Sequence, residues 1–158
     1  MEIVACVIGV ADVTARASSK IWRLCELWKD APQDVFHLRD ELDRSSRFFE
    51  ALKTGMQQQS LPASSSISSP SQTVMVDLTS LLNRGHGTVS ALQALFDELL
   101  IVKTDAEKGS SSEKLVAVEL GKRRRVGWLK RFHRIKRLRN SLRQTTDQIG
   151  LYLSLLNV

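Results

Sequence analysis

Acidic side chains are missing from one long stretch of this chain. Lys122 to Arg143 contains eleven Lys or Arg residues and no Asp or Glu, while the rest of the sequence has twelve basic and seventeen acidic residues. The net charge of +6 is therefore a property of one segment. Charge concentrated in this way attracts polyanions more strongly than scattered charge, so the phosphates of lipids or nucleic acids are candidate partners.

Cysteine is also scarce, since Cys6 and Cys25 are the only two in 158 residues. They lack the spacing of a metal site or a disulfide framework, which indicates a reduced, intracellular environment. We expect a cytoplasmic protein in which both residues are small core side chains.

Long apolar runs are absent as well. The N-terminal MEIVACVIGVADVTA begins with Glu2 instead of a basic region, and Asp12 and Arg16 interrupt it, so a cleaved signal is not expected. No segment has the eighteen or so uninterrupted apolar residues of a membrane-spanning helix. Any membrane contact is therefore expected to be peripheral or triggered.

Proline is rare, and apolar residues recur mostly three and four positions apart, which is typical of helices. The sequence predicts an all-α fold, a four-helix bundle forming one domain over residues 1–158. The expected helices span residues 2–29, 32–56, 73–103 and 128–156, with flexible loops at about 57–72 and 104–121. The basic segment is then half loop and half helix face. Gly85 and Gly87 leave open whether the third helix is continuous, because a glycine inside a helix costs roughly 1 kcal/mol relative to alanine.

Side chains that could form a catalytic or metal site do not cluster in the sequence. His37, His86 and His133 lie in three different predicted segments, without a paired acid or cysteine at ligand spacing. Nucleophile, Walker and dinucleotide motifs are missing too. We therefore predict a protein that is not an enzyme and that has no catalytic residues, cofactor or metal.

The basic segment allows three interpretations. It is a solvated face that keeps a bundle soluble, a phosphate-binding surface for nucleic acid, or a surface for anionic membrane lipids. Nucleic acid is the least favoured partner, because aromatic residues on a buried helical stripe cannot also stack on bases. The candidate residues for an anionic partner are Lys122, Arg123, Arg124, Arg125, Lys130, Arg131, Arg134, Lys136, Arg137 and Arg139.

Three patterns follow one another along the chain. Residues 8–13 read IGVADV, residues 34–52 repeat apolar positions at helical spacing, and a basic stretch at 123–125 precedes Trp128 and a long apolar stripe through Leu142 and Leu153. In this order the chain resembles the N-terminal domain of fungal STAND proteins, NOD-like receptors that continue into nucleotide-binding and repeat regions. The resemblance covers nearly the whole chain, although Leu129 replaces the proline that often follows the family tryptophan.

This resemblance implies a HeLo-like helical bundle that acts as the signalling or effector domain of an intracellular immune receptor. Such bundles self-associate when the attached receptor domains assemble, and they engage the membrane in programmed cell death. Recruitment to the plasma membrane, anionic lipids as partners and downstream domains in a longer chain are corresponding expectations. The alternative is a homotypic adaptor that does not bind membranes. Candidate membrane-inserting residues are Ile3, Val4, Val7, Ile8, Val10 and Val13, which a buried central helix would explain equally well.

Overall fold

The computed structural model describes residues 2–28, 30–59, 72–101 and 113–156, without the side chains of residues 59, 100, 101, 113–124 and 156. Within these ranges the chain forms four α-helices and no strand: α1 Glu2–Leu27, α2 Gln33–Gln59, α3 Gln72–Ile101 and α4 Glu113–Leu156. The predicted all-α four-helix bundle is confirmed.

The first helix ends two residues earlier than predicted, and the second begins one residue later than predicted. α1 ends at Leu27, and Ala31 N–H donates to the Trp28 carbonyl at 3.2 Å, which closes a turn before Pro32. Pro32 lies immediately before α2, and its carbonyl accepts a hydrogen bond from Val35 N–H at 3.0 Å in the first turn of that helix. Proline disfavours helical geometry in the residue before it, so α1 does not continue through Ala31 into α2.

The predicted loop at 57–72 is wrong at both of its ends. α2 continues through Gly55 to Gln59, because a run of glutamines is a good helix former, and α3 already begins at Gln72. The remaining residues of that prediction, 60–71, lie outside the described residues. The third helix is described as far as Ile101, and residues 102–103 of the prediction lie outside the described residues.

The two glycines of α3 do not break it, since the helix runs without interruption through Gly85 and Gly87. A Cβ atom built at Gly85 would lie 3.5 Å from Thr145 Cγ2 and 4.0 Å from Phe49 Cζ. α3 therefore passes close to both α4 and α2 at this point. The packing gained there offsets part of the low helix propensity of glycine.

The largest error concerns the start of α4, which begins at Glu113 and not at Trp128. Residues 113–121 of the predicted loop are helical, and residues 104–112 lie outside the described residues. Leu115, Glu119 and the basic residues that follow all have good helix propensity, whereas the prediction depended on apolar spacing, which this stretch lacks. The whole basic segment is therefore helical.

Polar contacts show how α1, α3 and α4 run relative to one another. Lys20 of α1 pairs with Asp97 of α3 at 2.5 Å, and Cys6 Sγ lies 3.7 Å from Asn83 Oδ1, so α1 and α3 run parallel. α4 runs antiparallel to α3, with the two joined at opposite ends by the pairs Arg131–Glu98 and Tyr152–Asp77. α1 packs between α2 and α3, while α4 packs on α3 and meets α2 over a shorter length.

The described residues form two buried apolar clusters. One contains Trp28 and Trp128, whose rings meet edge to face with centroids 6.3 Å apart. The other lies towards the N-terminus of α1, where Val7 packs with Phe49 of α2 and Leu82 of α3. Apolar burial on this scale is the dominant stabilising contribution in a helical bundle.

Gly87 gives the fold a simple test. It is exposed, and a Cβ atom built there meets nothing within 4 Å. We expect Gly87→Ala to raise the free energy of unfolding by about 0.5–1 kcal/mol, because alanine restricts the unfolded chain and favours the helix. Urea unfolding followed by circular dichroism measures this change. A loss of stability would mean that α3 is not a regular helix at Gly87.

Candidate functional site

The basic segment lies on the part of α4 that begins at Trp128 and on the turns before it. Trp128, Ile135 and Leu142 form a stripe that is at most 3% exposed and faces the bundle. The spacing of seven residues keeps these side chains on one side of the helix. The exposed positions of this stretch lie on the opposite side of the helix, whereas Phe132 and Leu138 are partly buried against the core.

Of the seven predicted basic residues whose side chains are described, five lie on this outward side. We call the following five exposed side chains the basic face: Arg125, Lys130, Arg134, Lys136 and Arg137. Arg139 is half-buried at its edge. The backbone of Lys122, Arg123 and Arg124 belongs to α4, but their side chains lie outside the description.

Arg131 differs from its neighbours, because α3 provides it with an acidic partner. Its Nε donates to Glu98 Oε2 at 2.8 Å, and its guanidinium also donates to the Gly127 carbonyl at 3.1 Å. Because the Glu98 carboxylate compensates its positive charge, Arg131 attracts an anionic ligand less strongly than an unpaired arginine does. Arg131 is therefore better assigned to the α3–α4 contact than to the candidate surface.

The basic face itself has no such partners among the described side chains. No described carboxylate lies within 4.0 Å of a cation of Arg125, Lys130, Arg134, Lys136 or Arg137. The sequence supplies no acid along α4 from 122 to 143, so the i±3 and i±4 neighbours of these residues cannot neutralise them. The face is a set of unpaired cations.

Two apolar side chains lie among these cations. Val126 is 51% exposed and Leu129 is 62% exposed. Leu129 follows Arg125 by four positions and Val126 by three, and Lys130 follows Val126 by four, so all of them are surface neighbours on a helix. The sequence analysis did not identify Val126 and Leu129 as exposed apolar residues. Their positions indicate exposure, because neither falls on the buried stripe through Trp128.

The first part of α4 extends beyond Ile101, the last described residue of α3. A Cβ built at Gly127 would lie 3.3 Å from Leu99 Cδ2, so Gly127 faces a residue near the end of α3 at Ile101. Since α4 runs antiparallel to α3, residues 113–126 continue past that end. At a rise of 1.5 Å per residue this extension is roughly 20 Å long. Residues 122–125 thus lie on a helical segment beyond the end of α3.

The candidate membrane-inserting residues lie elsewhere, in the bundle centre. Ile3, Val7, Val10 and Val13 are at most 7% exposed, and they pack on α2 and α3. The other two, at positions 4 and 8, are half-buried. In this structure α1 is thus the buried central helix that the sequence left open as an alternative.

Within the described ranges, no helix combines the length and hydropathy needed to cross a bilayer.

No group of three or more His, Cys, Asp or Glu side chains is placed to hold a metal ion among the described residues. Burial raises the pKa of the Cys25 thiol, which the nearby Arg39 only partly opposes, so this thiol stays protonated at neutral pH.

Fold and surface together define the class of protein: an all-α four-helix bundle that carries an unpaired cationic face with two exposed apolar side chains on its longest helix. Comparison of the chain with family models, with curated proteins and with solved structures finds no match.

Proposed function

We propose that this bundle binds anionic membranes through the basic face, and that it is the N-terminal signalling or effector domain of an intracellular NOD-like (STAND) receptor acting by self-association in programmed cell death. One observation supports the membrane interaction most directly. Five exposed cations without acidic partners surround Val126 and Leu129, which are exposed apolar residues of the same helix. The receptor role follows from the resemblance of the sequence alone.

The strength of such an interaction follows from the charges. A basic residue near an anionic bilayer contributes about 1 kcal/mol, so the five residues of the basic face together contribute on the order of 5 kcal/mol. Burial of Val126 and Leu129 among the headgroups would add an apolar contribution that does not depend on salt. Together these supply reversible recruitment without a spanning helix.

A membrane partner fits this surface better than a nucleic acid does. Of the aromatic rings near the cations, Trp128 is buried and Phe132 is half-buried, so neither is free to stack on a base. The more exposed Trp22 belongs to α1, and the guanidinium of Arg39 lies 4.4 Å from its ring centroid. Exposed aliphatic side chains among cations are typical of lipid-facing helices.

Self-association has a separate candidate surface. Leu151 is 66% exposed and Leu155 is 75% exposed, four positions apart on the C-terminal part of α4. Exposed apolar pairs at this spacing form contact patches between helices. This pair also favours the alternative function, a homotypic adaptor that does not bind membranes.

Insertion of α1 into a bilayer would require the bundle to open. Ile3, Val7, Val10 and Val13 are each buried, and exposing such side chains costs roughly 1.5–3 kcal/mol apiece. Exposing all four costs about 6–12 kcal/mol, which is comparable to the roughly 5–15 kcal/mol that stabilises a typical domain. We therefore place membrane docking by the basic face first, and any release of α1 after assembly.

Vesicle sedimentation tests this proposal. The isolated chain should sediment with phosphatidylcholine vesicles that contain phosphatidylserine and should stay in solution with pure phosphatidylcholine. Binding should weaken severalfold as salt is raised, because screening acts on exposed charges. A parallel titration with duplex DNA should give only weak, nonspecific affinity. Equal binding to both vesicle types, or to neither, would refute the membrane role.

A further inference from the structure

A small pocket lies between α2 and α4 at the edge of the basic face. Its volume is about 110 Å³, and its apolar walls are formed by Leu38, Trp128, Phe132 and Ile135. Three charged side chains complete the lining: Asp34 from the first turn of α2, and Lys136 and Arg139 from α4. The pocket therefore joins an apolar base to a charged rim with one excess positive charge.

The charged residues of this pocket have no described partners. Among the described residues, none of Asp34, Lys136 and Arg139 makes an ion pair or a side-chain hydrogen bond. Asp34 and Arg139 are half-buried, while Lys136 is exposed. Ionised groups that share a pocket without pairing are unusual, because partial burial of a charge is costly unless it is compensated.

Trp128 adds a buried hydrogen-bond donor that has no acceptor among the described residues. This residue is 1% exposed, and its indole Nε1 has no acceptor within hydrogen-bond distance among the described residues. A buried donor without an acceptor costs about 1–3 kcal/mol. An oxygen atom that reached this ring would relieve part of that cost.

Size and charge together select the ligand. A volume of 110 Å³ has room for roughly three or four water-sized groups, which matches a phosphorus atom with its terminal oxygens. Lys136 and Arg139 provide cationic donors, and the positive end of the α2 dipole lies at the same rim. Asp34 opposes an anion, so the net attraction is moderate.

We infer that this pocket binds the terminal phosphate of a phosphomonoester lipid headgroup, so that the basic face discriminates among anionic lipids. The inference rests on the proposed membrane function and adds a preference for one headgroup chemistry. A phosphomonoester carries between one and two negative charges near neutral pH and three acceptor oxygens. The serine headgroup has a phosphodiester beneath a zwitterionic group, which presents no terminal phosphate to the pocket.

Vesicles of two compositions, matched in surface potential, test the preference. The wild-type chain should bind phosphatidic acid vesicles about tenfold more tightly than phosphatidylserine vesicles, which is the net effect of one charge-assisted hydrogen bond. Substitution of Lys136→Gln with Arg139→Gln should reduce this ratio to about twofold or less. The matched pair Lys130→Gln with Arg137→Gln, outside the pocket, should weaken both interactions and leave the ratio unchanged.

A gain-of-binding variant guards against effects on folding. Asp34→Asn removes the opposing charge, so it should strengthen binding to phosphatidic acid severalfold more than binding to phosphatidylserine. Circular dichroism establishes that each variant is folded before its binding is compared.

The outcomes separate the two proposals. Equal affinity for the two anionic vesicles would overturn the pocket assignment and leave the membrane function standing, whereas no binding to either would overturn the function itself. Inorganic phosphate, titrated while the Trp128 indole signal is followed by NMR, distinguishes the source of the phosphate. A shift of this signal without any preference between the vesicles would assign the pocket to a soluble phosphate and overturn the lipid assignment.

Discussion

Replacing Trp128 by alanine should lower the free energy of unfolding by about 3–5 kcal/mol, the usual cost of truncating a buried aromatic residue. The side chain is 1% exposed and meets Trp28 edge to face across the bundle. Its loss would leave a cavity between α4 and Trp28, which lies just after the end of α1. This cost is a large part of a typical domain's stability. Urea unfolding followed by circular dichroism measures the change.

The adjacent residue is a matched control. Leu129 is 62% exposed, so Leu129→Ala should change the stability by no more than about 0.5 kcal/mol. If the two substitutions had equal effects on unfolding, α4 would be rotated relative to this structure, and the basic face would be misassigned.

Reversing three charges of the basic face should reduce affinity for phosphatidylserine vesicles at least a hundredfold. Lys130, Arg134 and Arg137 are exposed and have no described acidic partner, so each loses about 1 kcal/mol of attraction on replacement by Glu, before the added repulsion is counted. A loss of about 3 kcal/mol corresponds to more than a hundredfold in affinity. Sedimentation with vesicles at low salt provides the measurement.

A control variant with the same charge change on α1 and α2 shows whether vesicle binding depends on the position of the charges. Arg16 and Arg23 of α1 and Arg44 of α2 are likewise exposed, and replacing all three by Glu alters the net charge by the same amount. This control should retain most of the affinity. Comparable losses in the two triple variants would mean that net charge, and not the basic face, governs binding.

The sequence predicted the parts of the fold that depend on apolar spacing. Trp128 and Leu142 were correctly predicted to lie on a buried helical stripe, and four such stripes were enough to predict the bundle. The start of α4 was missed, because residues 113–121 are helical without an apolar period of their own. Helix propensity is the sequence signal that favours a helix there.

The candidate site was only partly predictable, because pairing between helices is a tertiary property. Nothing near Arg131 in the sequence shows that Glu98, 33 residues away, neutralises it. The pocket behind Lys136 likewise depends on Asp34, which reaches it from α2. By contrast, Leu129 could have been recognised as an exposed apolar residue from its position relative to Trp128.

The central claim, that the outer side of α4 meets the lipid, can be measured with an environment-sensitive fluorophore. The probe is attached to a cysteine replacing Leu129, in a chain whose Cys6 and Cys25 have been changed to alanine. The same probe at Arg44 of α2 is the reference. With phosphatidylserine vesicles we predict a blue shift at position 129 and none at position 44. A shift at position 44 alone, or at neither position, would contradict the claim.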